Sequence, residues 1–153
     1  MSTIKELKLT RIINAPRELV FQAWIDPAQF AQWWGPGCFT NPVCKLDTRP
    51  GGKILVHMTA PDGTVYPMGG MFHEITPPEK IVMTTTSFRD DKNNEQIENL
   101  NTILFTETSD GKTQLALHVV VLKATPEMDG ALSGMEAGWS QSFEKLNTLL
   151  SQV

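Results

Sequence analysis

Residues 133–150, SGMEAGWSQSFEKLNTLL, follow a long run of strand-like segments and change the pattern from alternation to helical spacing. Met135, Trp139, Phe143, Leu146 and Leu150 recur every three or four residues, while Glu136, Gln141, Glu144 and Lys145 fall largely elsewhere. One stripe of the helix is therefore apolar. Ser133 and Glu136 have the spacing of a capping box, which starts the helix there rather than at Pro126. At 1.5 Å per residue the rod is roughly 27 Å long, enough to cross a small sheet. A helix laid across a curved sheet leaves a hollow beneath it, and that hollow is where a ligand is expected.

Upstream, turn chemistry divides the chain at Pro50-Gly51-Gly52, Pro61-Asp62-Gly63, Pro77-Pro78 and Ser109-Asp110-Gly111, and the polar run Asp90 to Glu95 makes a further loop. The intervening segments predict strands at about 43–49, 53–60, 65–75, 80–88, 97–108 and 112–122. Their short connections favour an antiparallel meander. Alternation assigns an inner face of Ile54, Val56 and Met58; Phe72; Ile81, Met83 and Thr85; Ile103 and Phe105; and Leu115, Leu117 and Val119. On this register His57, His73 and His118 face outward or lie at an edge.

At the other end, Ile4 to Ile13 reads as a first strand with Leu7, Leu9 and Ile13 on one side. Pro16 opens a short helix with an apolar stripe of Leu19, Val20, Ala23 and Trp24. Asp26-Pro27 caps a second, which runs through Phe30, Trp33 and Trp34 until Gly35-Pro36-Gly37 breaks it. Strand, two helices, six strands and a long helix together predict an α+β domain whose antiparallel sheet wraps the last helix. Gly130, Gly134 and Gly138, spaced by four, mark a flexible approach to that helix and a close approach of helix and sheet backbones.

The 153 residues suit one domain over 1–153, and a chain of this length buries about two thirds of its unfolded surface. A net charge of -4 with no cluster of Lys or Arg argues against a nucleic-acid partner. The start of the chain lacks the apolar core of a signal peptide, and no stretch approaches the ~18 apolar residues of a membrane span, so a cytoplasmic location is expected. Cys38 and Cys44 are accordingly read as reduced thiols.

No metal-ligand spacing links the three histidines, and no nucleophile elbow, dinucleotide fingerprint or phosphate loop is present. Neither a metal, a cofactor nor a catalytic residue is assigned. Glu74, Glu107 and Glu136 read as solvated charge, and Asp47 with Arg49 as a structural ion pair near the Gly51-Gly52 turn. What stands out is an apolar inventory of four Trp, seven Phe and seven Met, whose thioethers adapt to ligands of several shapes. Candidate cavity residues are Trp33, Trp34, Val56, Met58, Phe72, Met83, Thr85, Asn101, Ile103, Phe105, Leu117, Val119, Met135, Trp139 and Phe143. Thr85 and Asn101 are the polar groups that would orient a ligand.

Asn14-Ala15-Pro16 with Val20-Phe21-Gln22-Ala23-Trp24, Asp26-Pro27 and Trp33-Trp34-Gly35-Pro36 resembles the opening of the START-like superfamily, in the branch similar to the C-terminal domain of the activator of the heat-shock-protein-ninety ATPase. Leu46-Asp47 with Arg49-Pro50-Gly51-Gly52, Gly70 through Ile75, Pro77-Pro78-Glu79-Lys80-Ile81-Val82 and Gly138-Trp139 continue the likeness across essentially the whole chain. The resemblance implies a helix-grip fold: six or seven antiparallel strands around a long C-terminal helix, with two short helices after strand one. It also implies a hydrophobic small molecule as ligand, since superfamily members bind lipids, sterols or polyketides. Some members are cyclases or hydrolases, a second expectation that needs a carboxylate or histidine in the cavity. A third is a co-chaperone-like interaction protein. Because 153 residues leave no room for the separate N-terminal domain that such an activator uses on its client, a chaperone partner is the lesser expectation. Either a monomer or a homodimer fits, for a free sheet edge can pair with a second copy.

Overall fold

Alternating apolar residues bury one face of a strand, and only a sheet with something laid over that face satisfies several such strands at once. The computed structural model describes residues 6–35, 37–89, 95–125 and 134–151, and this is the arrangement they adopt. The elements run β1 (Glu6–Ile13), α1 (Arg17–Ile25), α2 (Pro27–Trp33), β2 (Thr40–Leu46), β3 (Lys53–Thr59), β4 (Val65–Thr76), β5 (Lys80–Arg89), β6 (Glu95–Glu107), β7 (Thr113–Ala124) and α3 (Met135–Ser151). The strands form one antiparallel sheet in the order β1-β7-β6-β5-β4-β3-β2. It is a meander from β2 to β7, with β1 returned to pair with β7 so that Leu9 lies opposite Leu117. With the C-terminal helix and the two short helices after β1, this is the helix-grip fold.

The inner face carries Leu9, Ile13, Ile54, Val56, Met68, Phe72, Ile81, Met83, Ile103, Phe105, Leu115, Leu117 and Val119, all buried. The outer face holds the histidines: His118 Nε2 lies 2.7 Å from Glu6 Oε1, and His73 Nε2 3.1 Å from Thr84 Oγ1. Asp26 caps α2 by accepting from the Ala28 N–H at 3.0 Å, with Pro27 behind it needing no partner. Trp24 of α1 is the hub of an aromatic core, its ring centroid 4.7 Å from Trp33, 6.1 Å from Phe105 and 6.3 Å from Phe143. α3 adds Phe143, Leu146 and Leu150 to this core. Two polar ties hold it over β1: Arg11 Nη2 donates to Ser140 Oγ at 3.0 Å, and the Asn14 N–H to Asn147 Oδ1 at 2.8 Å.

Some local expectations shift. β2 occupies Thr40–Leu46 rather than 43–49, because Asp47 to Gly52 is a turn: the Asp47 N–H bonds Lys53 O at 3.0 Å and the Gly52 N–H bonds Arg49 O at 2.8 Å. The Asp47–Arg49 ion pair forms at 2.9 Å, in this turn rather than on a strand. A Cβ on Gly52 would stand 1.8 Å from the Asp47 carbonyl oxygen, so only glycine closes the turn. In α1 the stripe is rotated by one position: Phe21 is buried with Val20, Ala23 and Trp24, while Leu19 is exposed, because Phe21 reaches the ring of Phe105 at 5.0 Å. The capping-box Ser133, residues 4 and 5 of the first strand, and most of the Asp90 to Glu95 loop lie outside the described residues.

Candidate functional site

The apolar stripe of α3 does not pack evenly. Its later residues sink into the core, whereas Met135 and Trp139, one turn apart at the start, are only partly buried. Below them lies a cavity of about 420 Å³, within the size range of small-molecule sites. Among the described residues its lining comes from four places. α3 and the residue before it contribute Gly134, Met135, Gly138, Trp139 and Ser142. The α2–β2 connection contributes Trp34, Gly35 and Phe39. β3 and β4 supply Met58, Tyr66 and Met68; β5 and β6 supply Thr85, Ser87 and Asn99.

Local sequence explains each wall. α2 stops at Trp33, whose indole N–H donates to Ala23 O at 2.9 Å and so is committed to the core. Trp34 is already extended, φ -66° and ψ 138°, which frees its ring from the helix. Asn41 Nδ2 then clamps the main chain, donating to Trp34 O at 2.8 Å and Ala31 O at 3.0 Å. Gly35 turns the chain at φ 95°, a region glycine enters without strain. The Trp34 and Trp139 rings meet perpendicularly at 5.0 Å, forming an aromatic corner of the cavity. At another point Phe39 and Tyr66 rings approach to 5.8 Å.

Gly138 is not where helix and sheet backbones touch. A Cβ there would meet nothing within 4 Å, so this glycine leaves space in the cavity instead. On the helix, Ser142 Oγ donates back to Gly138 O at 3.0 Å, satisfying a hydroxyl that would otherwise be buried beside apolar groups.

The sheet wall is polar at one point. Thr85 and Asn99 are direct cross-strand partners, and Asn101 lies opposite Met83. Asn101 is fully buried; its Nδ2 donates to Met83 O at 3.3 Å and to Thr85 Oγ1 at 3.0 Å. The Asn99 Oδ1, Asn101 Oδ1 and Trp34 Nε1 atoms are buried with no protein partner. None of the described lining residues is a carboxylate, a histidine, a lysine, an arginine or a cysteine. Nearby, Lys145 Nζ reaches Gly37 O at 3.4 Å and Phe39 O at 3.5 Å, tying α3 to the cavity's connecting loop. Burial holds this amine below the ordinary lysine range. On β2, burial pushes the Cys44 thiol up to about 11, while Cys38 is exposed and both are free.

Of the residues singled out from sequence, Trp34, Met58, Thr85, Met135 and Trp139 line the cavity. Trp33, Val56, Phe72, Met83, Asn101, Ile103, Phe105, Leu117, Val119 and Phe143 are packed in the interior behind it. Ser87 and Asn99, missed from sequence, lie two residues further along the same faces as Thr85 and Asn101. Met68 shares the inner face of β4 with Phe72. Phe39 and Gly35 sit in an irregular connection where no periodicity could have marked them. Among the described residues no group of three or more His, Cys, Asp or Glu side chains converges as metal ligands, and no helix is long and apolar enough to cross a membrane.

Solved structures share this architecture over nearly their full length. A protein of Chromobacterium violaceum is 26% identical with a TM-score of 0.80, covering 96% of this chain and 98% of its own. A Nitrosomonas europaea protein is 25% identical with a TM-score of 0.79, covering 99% and 97% respectively. The AHSA1 protein of Silicibacter pomeroyi is 26% identical with a TM-score of 0.78, covering 96% and 98%. No curated protein is similar enough to match. Residues 14–151, from the turn after β1 to the last residue of α3, match the family described as Activator of Hsp90 ATPase homolog 1-like protein, and the chain belongs to that family.

Proposed function

We propose that this protein is a START-like binding module, one domain over its 153 residues, which takes a small, mainly apolar molecule between α3 and the sheet. The observation that carries this reading is the cavity of about 420 Å³ beneath the first turns of α3. It lies where the helix stripe offers Met135, Gly138 and Trp139 instead of side chains that fill the space. Aromatic and thioether walls supply affinity by removing apolar ligand surface from water, at roughly 25 cal/mol per Å², and the thioethers adapt to ligand shape. A cytoplasmic site is proposed with it, since two free thiols suit a reducing compartment.

The test is to fill the space. Gly138→Leu places a side chain where a Cβ meets nothing within 4 Å, so the fold should survive while binding of an environment-sensitive apolar dye is lost. Native mass spectrometry of protein from its own host should show a bound small molecule that the same variant lacks. Unchanged, saturable dye binding in Gly138→Leu would overturn the reading.

The family description favours a second reading, binding to a heat-shock chaperone through an outer surface. Exposed Ile12 and Leu104 lie on the outer face of the sheet, but Ile12 stands opposite polar Gln114 on β7 and Leu104 opposite Lys80 on β5, so they make no broad apolar patch. Stoichiometric co-purification with the chaperone, unaffected by Gly138→Leu, would favour that surface over the cavity.

A further inference from the structure

We infer that the ligand is a neutral, flat aromatic molecule carrying one hydroxyl or primary amide group, held at the Thr85–Asn99 pair; this rests on the cavity reading above. The hydrogen-bond inventory sets the polar group. Met83 O is a carbonyl and accepts only, so the Asn101 atom facing it at 3.3 Å is the amide nitrogen. That same nitrogen faces Thr85 Oγ1 at 3.0 Å, so the threonine oxygen accepts there and its own O–H is left to donate. Directly across the strand pair, Asn99 Oδ1 is a buried acceptor without a partner. One point of the wall therefore offers a donor beside an acceptor, and a hydroxyl or primary amide is the neutral group that answers both.

The same wall disfavours a charged group. Among the described lining residues none carries a charge, and an ion placed at Thr85–Asn99 would lose water without gaining a counter-charge. The rest of the cavity favours a ring. Trp34 and Trp139 meet at 90°, so a planar molecule stacked on one indole presents its edge to the other.

NMR titration with 2-naphthol, naphthalene and 2-naphthoate at neutral pH separates these elements. 2-Naphthol should bind about 2- to 10-fold more tightly than naphthalene, the range that one net neutral hydrogen bond supplies, and 2-naphthoate most weakly. Asn99→Leu should bring the naphthol-to-naphthalene ratio to about one, and Thr85→Val should lower it as well, which guards against one variant failing to fold. Equal binding of naphthol and naphthalene to the unaltered protein, a ratio unchanged in both variants, or tightest binding of naphthoate would overturn the inference while leaving an apolar cavity standing. Failure of all three probes together with the apolar dye would overturn the cavity reading, and the inference with it.

Discussion

The two halves of α3 carry one apolar stripe at one spacing and meet different neighbours. From Phe143 to Leu150 the stripe is buried: the Phe143 ring lies 6.3 Å from that of Trp24, and Leu146 and Leu150 join the same core. From Met135 to Trp139 it overhangs a cavity, with Gly138 leaving part of the space open and Thr85, Ser87 and Asn99 on the sheet opposite. The α1–α2 pair makes the difference. Its aromatic residues fill the gap between helix and sheet at one end, and Trp34, where α2 has ended, turns its ring to form the border. The same helical pattern thus serves as core where the aromatic layer fills the space beneath it, and as cavity wall where that layer reaches only one side, as at Trp139, which meets Trp24 and Trp34 on one flank and the cavity on the other.

That contrast is most exposed to refutation by truncation along the stripe. Phe143→Ala should cost about 3 to 5 kcal/mol in urea unfolding, the usual range for a buried phenylalanine, whereas Met135→Ala should cost well under about 2 kcal/mol, because a half-buried Met beside a cavity leaves little new void. Equal losses would mean that both halves are packed alike. Thr85→Val sharpens the polar side: Asn101 keeps its bond to Met83 O but loses the Thr85 partner, and a loss of about 1 kcal/mol is expected.

Gly138→Ala should move stability the other way, raising it by about 0.5 to 1 kcal/mol as a helical glycine gains a methyl group that meets no neighbour. By contrast, Gly70→Ala on β4 would set a Cβ 2.1 Å from Thr84 O, so a melting temperature that falls for Gly70→Ala and rises for Gly138→Ala is the expected pair. The smallest effect lies outside both halves of α3. With its folded value raised from 9.0 to about 11 by burial, the Cys44 thiol keeps its proton in the native state after the unfolded chain has lost it. The native state then binds more protons, so stability should fall as pH rises from 9.0 toward 11, and Cys44→Ala should remove that part of the slope.

Much of the architecture was legible because it follows from local rules. Alternation located the strands of the meander and their inner face, since successive side chains point to opposite sides of a sheet. Asp26-Pro27 located α2, and the three- and four-residue spacing after residue 134 located α3. Errors arose where a neighbour outranked the local pattern: Phe21 displaced Leu19 from the buried stripe because Phe105 was there to receive it, and the Asp47–Arg49 pair and Gly52 ended β2 early.

The site was less legible. Met135 and Phe143 are indistinguishable in periodicity, and Val56 and Met58 share a strand face, yet one of each pair lines the cavity and the other is packed. Sequence alone determined which side of β3 to β7 and of α3 turns inward, because over a regular element that follows from backbone periodicity. Which inward residues meet a neighbour and which meet empty space was decided only in the tertiary structure, by where α3 crosses the sheet and how far the aromatic side chains of α1 and α2 reach beneath it. Packing is a property of two surfaces at once, and the opposing surface here is built from residues distant in the chain.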